Sequence, residues 1–425
     1  MKNFEQLATS TLRRQALTIA EAGFAAIDTA TAVRKNFVYE PKKQKLKIFK
    51  QEFDLSKFQR IIVVGFGKAA FEAVATIQGV LKDRIACGYV LDLKEGSLGN
   101  IVCKVGTHPL PTKINIEATR ELVAMLEACT EEDFVISVVS GGGSALLCDP
   151  HDMSCETEIS IISALTVKSA SIQELNTVRK HISQVKGGQL AKKIYPATCV
   201  SLIFSDVPGD DLSMVASGPT VKDATTTRDA QAILWKYDVL TMLDLPSVKL
   251  IETPKEDKYF ERIHNILFVS AKTALSAMKE KAEELGFKVK IFSDHFQGEA
   301  RELVGQIVLS ADKKNTCLLG AGESTVTITG KGTGGRNQEM ALAALSLLNE
   351  NQVLLCLASD GHDNTDSAGA IVDRATLERA ANLNLEPEKF LNNNDSFNFF
   401  QAIGDQVQTG QTGANISDFL VCLRG

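Results

Sequence analysis

Residues 60–70 read RIIVVGFGKAA, a short apolar run that leads directly into a glycine turn. A run that is apolar on both faces is typical of a parallel strand buried between helices. The turn matches the G-x-G-x-x-G/A pattern, in which the N-terminus of a helix receives a phosphate. The stretch therefore predicts an α/β fold built from strand–turn–helix units, with Gly65 and Gly67 in a phosphate-binding turn.

The same alternation of apolar runs and helical segments continues along the chain, which predicts parallel sheets with crossover helices. A helical opening is expected over residues 4–31 and a long helix over residues 335–348. Further strands are predicted at residues 88–93, 134–140, 199–205, 265–270, 288–293, 316–320, 324–329, 353–359 and 419–423. We therefore expect two Rossmann-like α/β domains, the second sheet being either parallel or mixed.

The domain boundary is expected where this alternation breaks. The chain has 425 residues, more than an ordinary single domain. Pro246, Pro254 and a polar run interrupt the pattern. We predict an N-terminal domain at residues 1–240, a linker region at 241–262 and a C-terminal domain at 263–425. On which domain the opening helices pack is left open.

Composition excludes several classes of protein. The net charge of −6 gives no basic face for nucleic acid. The nine cysteines are scattered and never spaced as Cys-x-x-Cys, which argues against a zinc site or a disulfide framework. The first ten residues do not resemble a signal peptide, and no apolar run approaches the roughly 20 residues of a membrane span. We expect a cytoplasmic protein without a membrane partner, and a homo-oligomer remains open.

Lys68 is the first candidate functional residue, because it lies within the glycine turn. An ammonium at a helix N-terminus opposes the helix dipole unless an anion lies between them. One alternative is a solvated lysine in an ordinary tight turn. Another is a nicotinamide-binding turn, for which Asp92 at the end of the next strand would bind the ribose.

A run of three glycines follows the strand predicted at residues 134–140. The residues from Ser140 to Ser144 include Gly141, Gly142 and Gly143, whose backbone N–H groups can converge on an anion. Ser144 is expected to cap the next helix and to donate its hydroxyl group. The alternative is a flexible turn into a capped helix, but one glycine would suffice for that.

Carboxylates follow two other predicted strands. Asp206, Asp210 and Asp211 lie within six residues, and such a group makes sense around Mg²⁺ with phosphate oxygens. Asp206 or Asp211 could instead act as a base, and an ordinary aspartate-rich turn is the alternative. A later polar loop, SDGHDNTDSAG at residues 359–369, adds Asp360.

A second glycine loop at residues 330–339, GKGTGGRNQE, opens the helix expected at residues 335–348. Gly334 and Gly335 are candidate phosphate-binding residues. Arg336 in the first turn is electrostatically misplaced unless it faces an anion, and its planar fork suits phosphate or carboxylate. A surface arginine is the alternative. Since the chain has no G-x-x-x-x-G-K-[ST] motif, any ATP site here lacks a Walker loop.

These motifs together resemble the class II glycerate kinases, and they occur in the family's order over nearly the whole chain. The stretches that carry the resemblance are GFGKAA, THPLPT (107–112), SGGGSALL, ELNTVRKHISQVKGGQLA (174–191), SDVPGDDLSMVASGPT (205–220) and GGRNQEMALAA. The resemblance implies an N-terminal kinase domain and a C-terminal MOFRL domain with the active site in a cleft between them. It also implies ATP-dependent phosphorylation of D-glycerate at the 2-hydroxyl, with Mg²⁺.

The resemblance also assigns residues. The family's proposed essential lysine and arginine fall on Lys68 and Arg336, and Lys186 is a further cation expected in the cleft. Apart from the resemblance, our hypothesis is that Lys68 and Arg336 hold the glycerate carboxylate, although Lys68 could equally neutralise the γ-phosphate. In the same hypothesis Asp206 accepts the hydroxyl proton, and Asp206, Asp211 or Asp360 holds Mg²⁺. The family pattern is departed from at His362 and Gln411, whereas these residues match it: Asp360, Asp366, Thr412, Gly413 and Asn415.

Two other functions remain possible interpretations of the sequence. A nicotinamide-dependent hydroxypyruvate reductase would use the first glycine turn and Asp92. It would not need a second phosphate-binding loop or a group of aspartates. A non-catalytic sensor would bind a phosphorylated metabolite without turning over ATP.

Overall fold

The computed structural model describes residues 1–311, 313–414 and 416–425. These residues form two compact units. One unit comprises Ala32–Phe268, and the other combines Met1–Thr31 with Val269–Gly425. The units divide the chain at other positions than the predicted domains, since the opening residues belong to the unit that contains the C-terminal part.

The strands form one small and two large sheets. The strands are β1 (Phe37–Glu40), β2 (Lys45–Ile48), β3 (Gln51–Asp54), β4 (Arg60–Phe66), β5 (Ile85–Asp92), β6 (Ile101–Val105), β7 (Asp133–Val139), β8 (Thr198–Phe204), β9 (Ile263–Val269), β10 (Lys288–Glu299), β11 (Thr316–Thr325), β12 (Gln352–Ala358), β13 (Gly369–Asp373), β14 (Gln406–Val407) and β15 (Asp418–Arg424). The sheet orders are β1-β2-β3, β6-β5-β4-β7-β8-β9 and β10-β11-β15-β12-β13-β14.

Helices connect most of these strands. The helices are α1 (Phe4–Leu7), α2 (Thr11–Ile27), α3 (Thr29–Asn36), α4 (Ala70–Leu81), α5 (Lys113–Glu127), α6 (Gly143–Leu146), α7 (Cys155–Val167), α8 (Ile172–His181), α9 (Gln189–Ile194), α10 (Thr227–Lys236), α11 (Val239–Met242), α12 (Ala271–Glu284), α13 (Ala300–Ser310), α14 (Arg336–Ala344), α15 (Arg374–Asn382), α16 (Pro387–Asn392) and α17 (Ser396–Ile403). Among the described residues, no single helix is long and apolar enough to cross a membrane. Helices α2 and α3, which are separated by a bend, are together long and apolar enough for such a span, judged by length and composition only.

The large sheet of the first unit contains the candidate site. β4 pairs in parallel with β5 on one side and with β7 on the other. From β4 the chain moves outward to β5 and β6, and then returns to β7 and continues to β8. Strand order thus reverses between β4 and β7, and open α/β sheets bind ligands beside such a reversal, outside the carboxyl ends of the strands. The loops after β4, β7 and β8 share this edge.

These central strands are apolar on both faces because helices cover both faces. Every residue of β7 is buried, and in β4 only Arg60 is exposed. Val64, Phe66 and Val139 join a core that also contains Leu122 of α5. Burial of each such large side chain stabilises the fold by roughly 1.5–3 kcal/mol, so the edge that carries the candidate site rests on a rigid support.

The large sheet of the second unit is mixed, which agrees with one of the two expectations. β10 and β11 pair in parallel, whereas β15 pairs antiparallel with both β11 and β12. The strand predicted at residues 324–329 is wrong, because β11 continues without a break to Thr325. The backbone N–H groups of Thr327 and Thr329 donate instead to side chains, those of Glu299 and Asn394.

The strand predicted at residues 265–270 exists as β9, but it was assigned to the wrong sheet. β9 is the edge strand beside β8 in the parallel sheet of the first unit. The polar run before it, which suggested a new domain, is a connection within the unit. Sequence pattern alone does not distinguish the last strand of one sheet from the first strand of the next.

The opening helices pack on the unit that contains the C-terminal part of the chain. Arg13 of α2 is fully buried and forms ion pairs with Asp373 and Asp405. A Cβ atom at Gly23 would lie 2.8 Å from the Met278 side chain of α12, so the two helices are in close contact. The alternative that the sequence left open is thereby decided.

Candidate active site

The loops after β4 and β7 are in direct contact. Gly67 has φ +117°, and a Cβ atom there would lie 2.2 Å from the hydroxyl oxygen of Ser140. The backbone N–H of Lys68 donates to the carbonyl oxygen of Gly141 at 2.9 Å, and that of Ala69 donates to the Ser140 hydroxyl at 3.1 Å. The glycine at position 67 is therefore required by close packing, and the backbone of Lys68 is fixed against the second loop.

The three-glycine loop lies close to the side chain of Lys68. Gly142 has φ +80° and precedes the short helix α6. A Cβ atom at Gly142 would lie 3.1 Å from Cγ of Lys68 and 3.3 Å from Cδ2 of His108. Within the described part of the chain, the backbone N–H groups of Gly141, Gly142 and Ser144 have no acceptor. These groups are available to an anionic ligand.

Asp206, from the loop after β8, lies against the same loop. A Cβ atom at Gly141 would lie 2.2 Å from a carboxylate oxygen of Asp206. The structure thus brings together Lys68, the 140–144 loop and Asp206, which were predicted separately from three distant stretches. A lysine, available backbone donors and a carboxylate at the strand-order reversal are the groups that phosphoryl transfer uses.

Ser144 does not cap the following helix, in contrast to the expectation. It lies inside α6, whose N-cap is Gly142. Its hydroxyl lies 3.2 Å from that of Ser217, which in turn donates to Asn176 at 2.7 Å. Because Ser217 uses its proton on Asn176, Ser144 donates to Ser217 and its oxygen can still accept a hydrogen bond.

A pocket of about 280 Å³ opens beside this loop. Its wall includes Gly142, Ser144 and Lys186 among the predicted residues. The ammonium group of Lys186 is buried and lies 3.0 Å from a carboxylate oxygen of Glu158. Lys186 is thus in the predicted region, but its charge is already balanced by a protein carboxylate.

Two further residues of this pocket were not predicted as site residues. Arg179 of α8 and His108 both line it, and both lie in motifs that we used only for the family resemblance. Burial, with a smaller contribution from Lys68, lowers the pKa of His108, which favours the neutral imidazole. Arg179 gave no sequence signal, because a cation in the last turn of a helix usually faces solvent and stabilises the helix dipole.

The three predicted metal ligands, Asp206, Asp211 and Asp360, have different surroundings. Across the described residues, no group of three or more His, Cys, Asp or Glu side chains is placed to hold a metal ion. Asp211 is exposed and accepts a turn hydrogen bond from the N–H of Ser213. Asp360 accepts one from the N–H of His362. Of these carboxylates, Asp206 is the one seen against the glycine loop.

Asp92, the residue that would complete a nicotinamide site, has a structural role. Its carboxylate accepts a hydrogen bond from the N–H of Phe71 at 2.7 Å, in the first turn of α4. It also accepts from the N–H groups of Leu93 and Lys94. A carboxylate already engaged by three backbone donors has little capacity left to bind a ribose hydroxyl.

In the second unit, other protein groups pack closely against the predicted glycine loop at residues 330–339. A Cβ atom would lie 2.1 Å from the Ser396 hydroxyl oxygen at Gly334, and 2.1 Å from the Asp363 carbonyl oxygen at Gly335. The carboxylate of Asp363 accepts hydrogen bonds from the N–H groups of Asn337 and Gln338. The N-terminus of α14 is therefore already capped, and close packing explains both glycines.

Arg336 lies beside an anion, as expected for a cation in the first turn of a helix, but this anion is the carboxylate of Asp418. Its guanidinium group donates two hydrogen bonds to the carboxylate of Asp418, and it lies 3.4 Å from Glu323. Burial raises the pKa of Asp418 to about 7, although Arg336 opposes this shift. The Arg336 side chain retains 36% of its exposure, which leaves donors for a ligand.

The polar loop at residues 359–369 packs against residues 410–412. The backbone N–H of Thr412 donates to the carbonyl oxygen of Asp360 at 3.2 Å. A Cβ atom at Gly361 would lie 2.0 Å from the carbonyl oxygen of Gly410. The two loops that contain Asp360 and Thr412, which both match the family pattern, are thus in contact. Asn415, a matching residue, lies outside the described residues.

Known proteins resemble this chain over most of its length. A family model described as "Domain of unknown function (DUF4147)" matches residues 15–251, and the MOFRL family model matches residues 316–418. A protein of Thermotoga maritima named D-glycerate 2-kinase is 38% identical over 381 residues, covering 86% of this chain and 90% of that protein. A protein of Agrobacterium vitis that carries the provisional name hydroxypyruvate reductase is 37% identical, covering 86% and 87%.

A solved structure has the same fold. The crystal structure of glycerate kinase from Thermotoga maritima matches with a TM-score of 0.86 at 33% sequence identity. The match covers 98% of this chain and 100% of that one. The similarity therefore extends over both units.

Proposed function

We propose that this chain, which belongs to the class II glycerate kinase family, phosphorylates D-glycerate at its 2-hydroxyl with ATP, giving 2-phosphoglycerate and ADP. The relatives named glycerate 2-kinase support the substrate and the product. The structural observation that carries the proposal is the meeting of Lys68, the 140–144 loop and Asp206 at the strand-order reversal.

In the proposed reaction, phosphate oxygens of ATP accept hydrogen bonds from the N–H groups of Gly141, Gly142 and Ser144. The 2-hydroxyl oxygen forms a bond to the γ-phosphorus, and the bond from that phosphorus to the bridging β,γ-oxygen breaks. Lys68 balances the negative charge on the transferred group. Catalysis of this kind needs positioning and cationic cover more than covalent participation by the protein.

Asp206 has two proposed roles. One carboxylate oxygen accepts the proton of the attacking 2-hydroxyl. A carboxylate against a phosphate-binding loop would repel phosphate unless a cation lay between them, so Asp206 also suits Mg²⁺, which proteins commonly bind through one or two carboxylates and substrate phosphates. Mg²⁺ would neutralise phosphate charge. Asp211 and Asp360 stay predictions as metal ligands, and their observed turn hydrogen bonds do not support that role.

The remaining assignments rest on the family resemblance. Arg336 stays a predicted catalytic residue, and Asp418 is suited to hold its guanidinium group in one orientation. Gly65 and Gly67 stay predicted members of the phosphate-binding turn, and Gly334 and Gly335 stay predictions that the packing of their loop explains without a ligand. The active-site cleft between the two domains also stays a prediction, as does a cytoplasmic location.

The deciding experiment measures ADP release from ATP and Mg²⁺ with D-glycerate, and couples the product to enolase. Enolase consumes 2-phosphoglycerate, so ADP together with an enolase signal is the expected result. ADP without an enolase signal would show that the acid is phosphorylated elsewhere. If the wild-type protein releases no ADP above its ATP-only background, the proposed function is wrong.

The provisional name of one relative keeps a reductase as the second candidate. The hydrogen bonds of Asp92 weigh against it, because they occupy the carboxylate that would bind the ribose of a nicotinamide cofactor. Absorbance of reduced nicotinamide with hydroxypyruvate as substrate tests this candidate directly. We expect no change in that absorbance.

A further inference from the structure

Among the described residues, the titratable groups that line the pocket beside the 140–144 loop carry one net positive charge. They include Arg179, Lys186, His108 and Glu158. Glu158 is engaged on both oxygens, because one lies 3.0 Å from the ammonium group of Lys186 and the other accepts from the thiol of Cys148. Lys186 and Glu158 therefore cancel, and a neutral His108 adds no charge. The remaining charge is that of Arg179.

Arg179 differs from two buried cations of this unit. Its neighbour Lys180 is buried against Asp223 at 3.0 Å, and Lys186 is buried against Glu158. Arg179 is only half-buried and is attracted at longer range by Glu158, yet within the ranges that the structure describes it forms no hydrogen bond or ion pair. Burial lowers its pKa, but a guanidinium group does not lose its proton in a protein. Such a group is normally paired, so its partner is to be sought in a ligand.

We propose that Arg179 binds the carboxylate of the substrate, a short 2-hydroxy monocarboxylic acid. The proposal rests on the proposed kinase function and adds the residue that recognises the acid. A guanidinium group matches a carboxylate with two parallel hydrogen bonds, and such charged bonds are about twice as strong as neutral ones.

The charge and size of the pocket favour a monocarboxylate over the phosphates of ATP. One unbalanced cation matches a single negative charge, whereas a triphosphate carries several and would also meet the buried Glu158 carboxylate. The volume of about 280 Å³ suits a three- or four-carbon acid. Leu110, Ile159 and Ile162 supply apolar wall that could contact the carbon chain of such an acid. Ser144 lies in the same wall, on the loop that we assign to phosphate.

The test compares Arg179→Met with the wild-type protein and with Arg228→Met, an exposed arginine of the same unit. Since hydrogen bonds to charged groups contribute strongly, we expect the KM for D-glycerate to rise by about 10- to 150-fold in Arg179→Met. The KM for ATP should change little. The melting temperature should change little, because the variant removes a half-buried charge that has no hydrogen bond or ion pair within the described residues. Arg228→Met should match the wild type in all three measurements.

A second readout separates binding of the carboxylate from a structural role. Glyceramide replaces the carboxylate by a neutral amide, and the wild-type protein should prefer D-glycerate strongly. In Arg179→Met this preference should largely disappear, and Arg179→Lys should restore part of it. An unchanged preference in Arg179→Met, or a rise in the KM for ATP alone, would overturn the proposal. If the wild-type protein turns over neither substrate, the proposed kinase function fails first, and the role of Arg179 fails with it.

Discussion

The two glycine loops that precede helices look alike in sequence and differ in structure. The 140–144 loop leaves three backbone N–H groups without an acceptor among the described residues. In the 330–339 loop, by contrast, Asp363 caps the helix N-terminus and Arg336 is paired with Asp418. In the first loop the donors are available to a ligand, and in the second the protein supplies the anion itself.

The difference teaches that a glycine-rich turn before a helix marks a place that needs an anion but does not identify its source. The N–H groups at a helix N-terminus donate to a buried carboxylate as readily as to a phosphate, and the helix dipole favours both anions. The deciding residue is distant in sequence, as Asp363 is 27 positions after Arg336. Variants that disrupt one loop at a time therefore test whether the first loop binds phosphate and the second stabilises the fold.

The largest effect is expected for Lys68→Ala. Loss of one charge-stabilising group in a preorganised site typically lowers kcat by about 10²–10³-fold, and we expect a loss of this size here. The melting temperature should change little, since the Lys68 backbone, which makes the hydrogen bond to Gly141, is retained. Lys168→Ala, an exposed lysine of the same unit, is the control. Unaltered turnover in Lys68→Ala would remove this lysine from the mechanism.

The next largest effect is expected on stability, for Asp363→Ala. The carboxylate accepts hydrogen bonds from both the backbone and the side-chain amides of Asn337 and Gln338. Leaving a buried donor unsatisfied costs about 1–3 kcal/mol, so with four donors we expect the free energy of unfolding to fall by about 4 kcal/mol or more. Chemical denaturation measures this. Asp366→Ala in the same loop is exposed and should cost much less.

The KM for ATP decides how the Asp363→Ala result is interpreted. If the cap is structural, this KM stays close to the wild-type value while the protein remains folded. A large rise in the KM for ATP with little loss of stability would reverse the comparison, because it would make the second loop the phosphate site.

Most of the parallel sheet was predictable, because its strands are short apolar runs that end in glycine, serine or aspartate. The apolar run predicted at residues 60–65 and the strand predicted at 134–140 correspond closely to β4 and β7. The mixed sheet was less accessible, since β13 and β14 are short and their pairing depends on distant partners. The sheet of β9 was misassigned for the same reason, as a strand's neighbours are not encoded in its own pattern.

The site was predictable where a residue violates a local rule. Lys68 was singled out because it opposes a helix dipole, and the structure places it beside the glycine loop. Arg179 violates no local rule, because a cation at a helix C-terminus is favourable. Its unusual feature is partial burial without a hydrogen bond or ion pair in the described part of the chain, and this depends on the tertiary packing of α8 beside the pocket. Sequence reasoning could identify its motif but not its role.

A smaller effect is expected for Gly142→Ala, which combines strain with crowding. An alanine at φ +80° costs about 1–2 kcal/mol, and its Cβ atom would press on Lys68 and His108. We expect a similar loss of stability and a rise in the KM for ATP. The matched control is Gly404→Ala, at φ +81° with no atom within 4 Å of the added Cβ atom. It should lose stability without changing the KM. Equal KM values in the two variants would contradict the assignment of the loop.

The most gradual effect is the pH dependence that Asp418 gives to the second loop. Burial raises the pKa of Asp418 to about 7 from its usual 3.8, so between these values the folded state binds a proton that the unfolded state releases. The free energy of unfolding should therefore fall as pH rises from about 4 to about 7, with a slope of at most about 1.4 kcal/mol per pH unit from this group. Asp418→Asn cannot titrate and should flatten the slope, whereas the exposed Asp366→Asn should not. Denaturation series across this range measure both, and equal slopes in wild type and Asp418→Asn would mean that the pair with Arg336 stays ionised throughout.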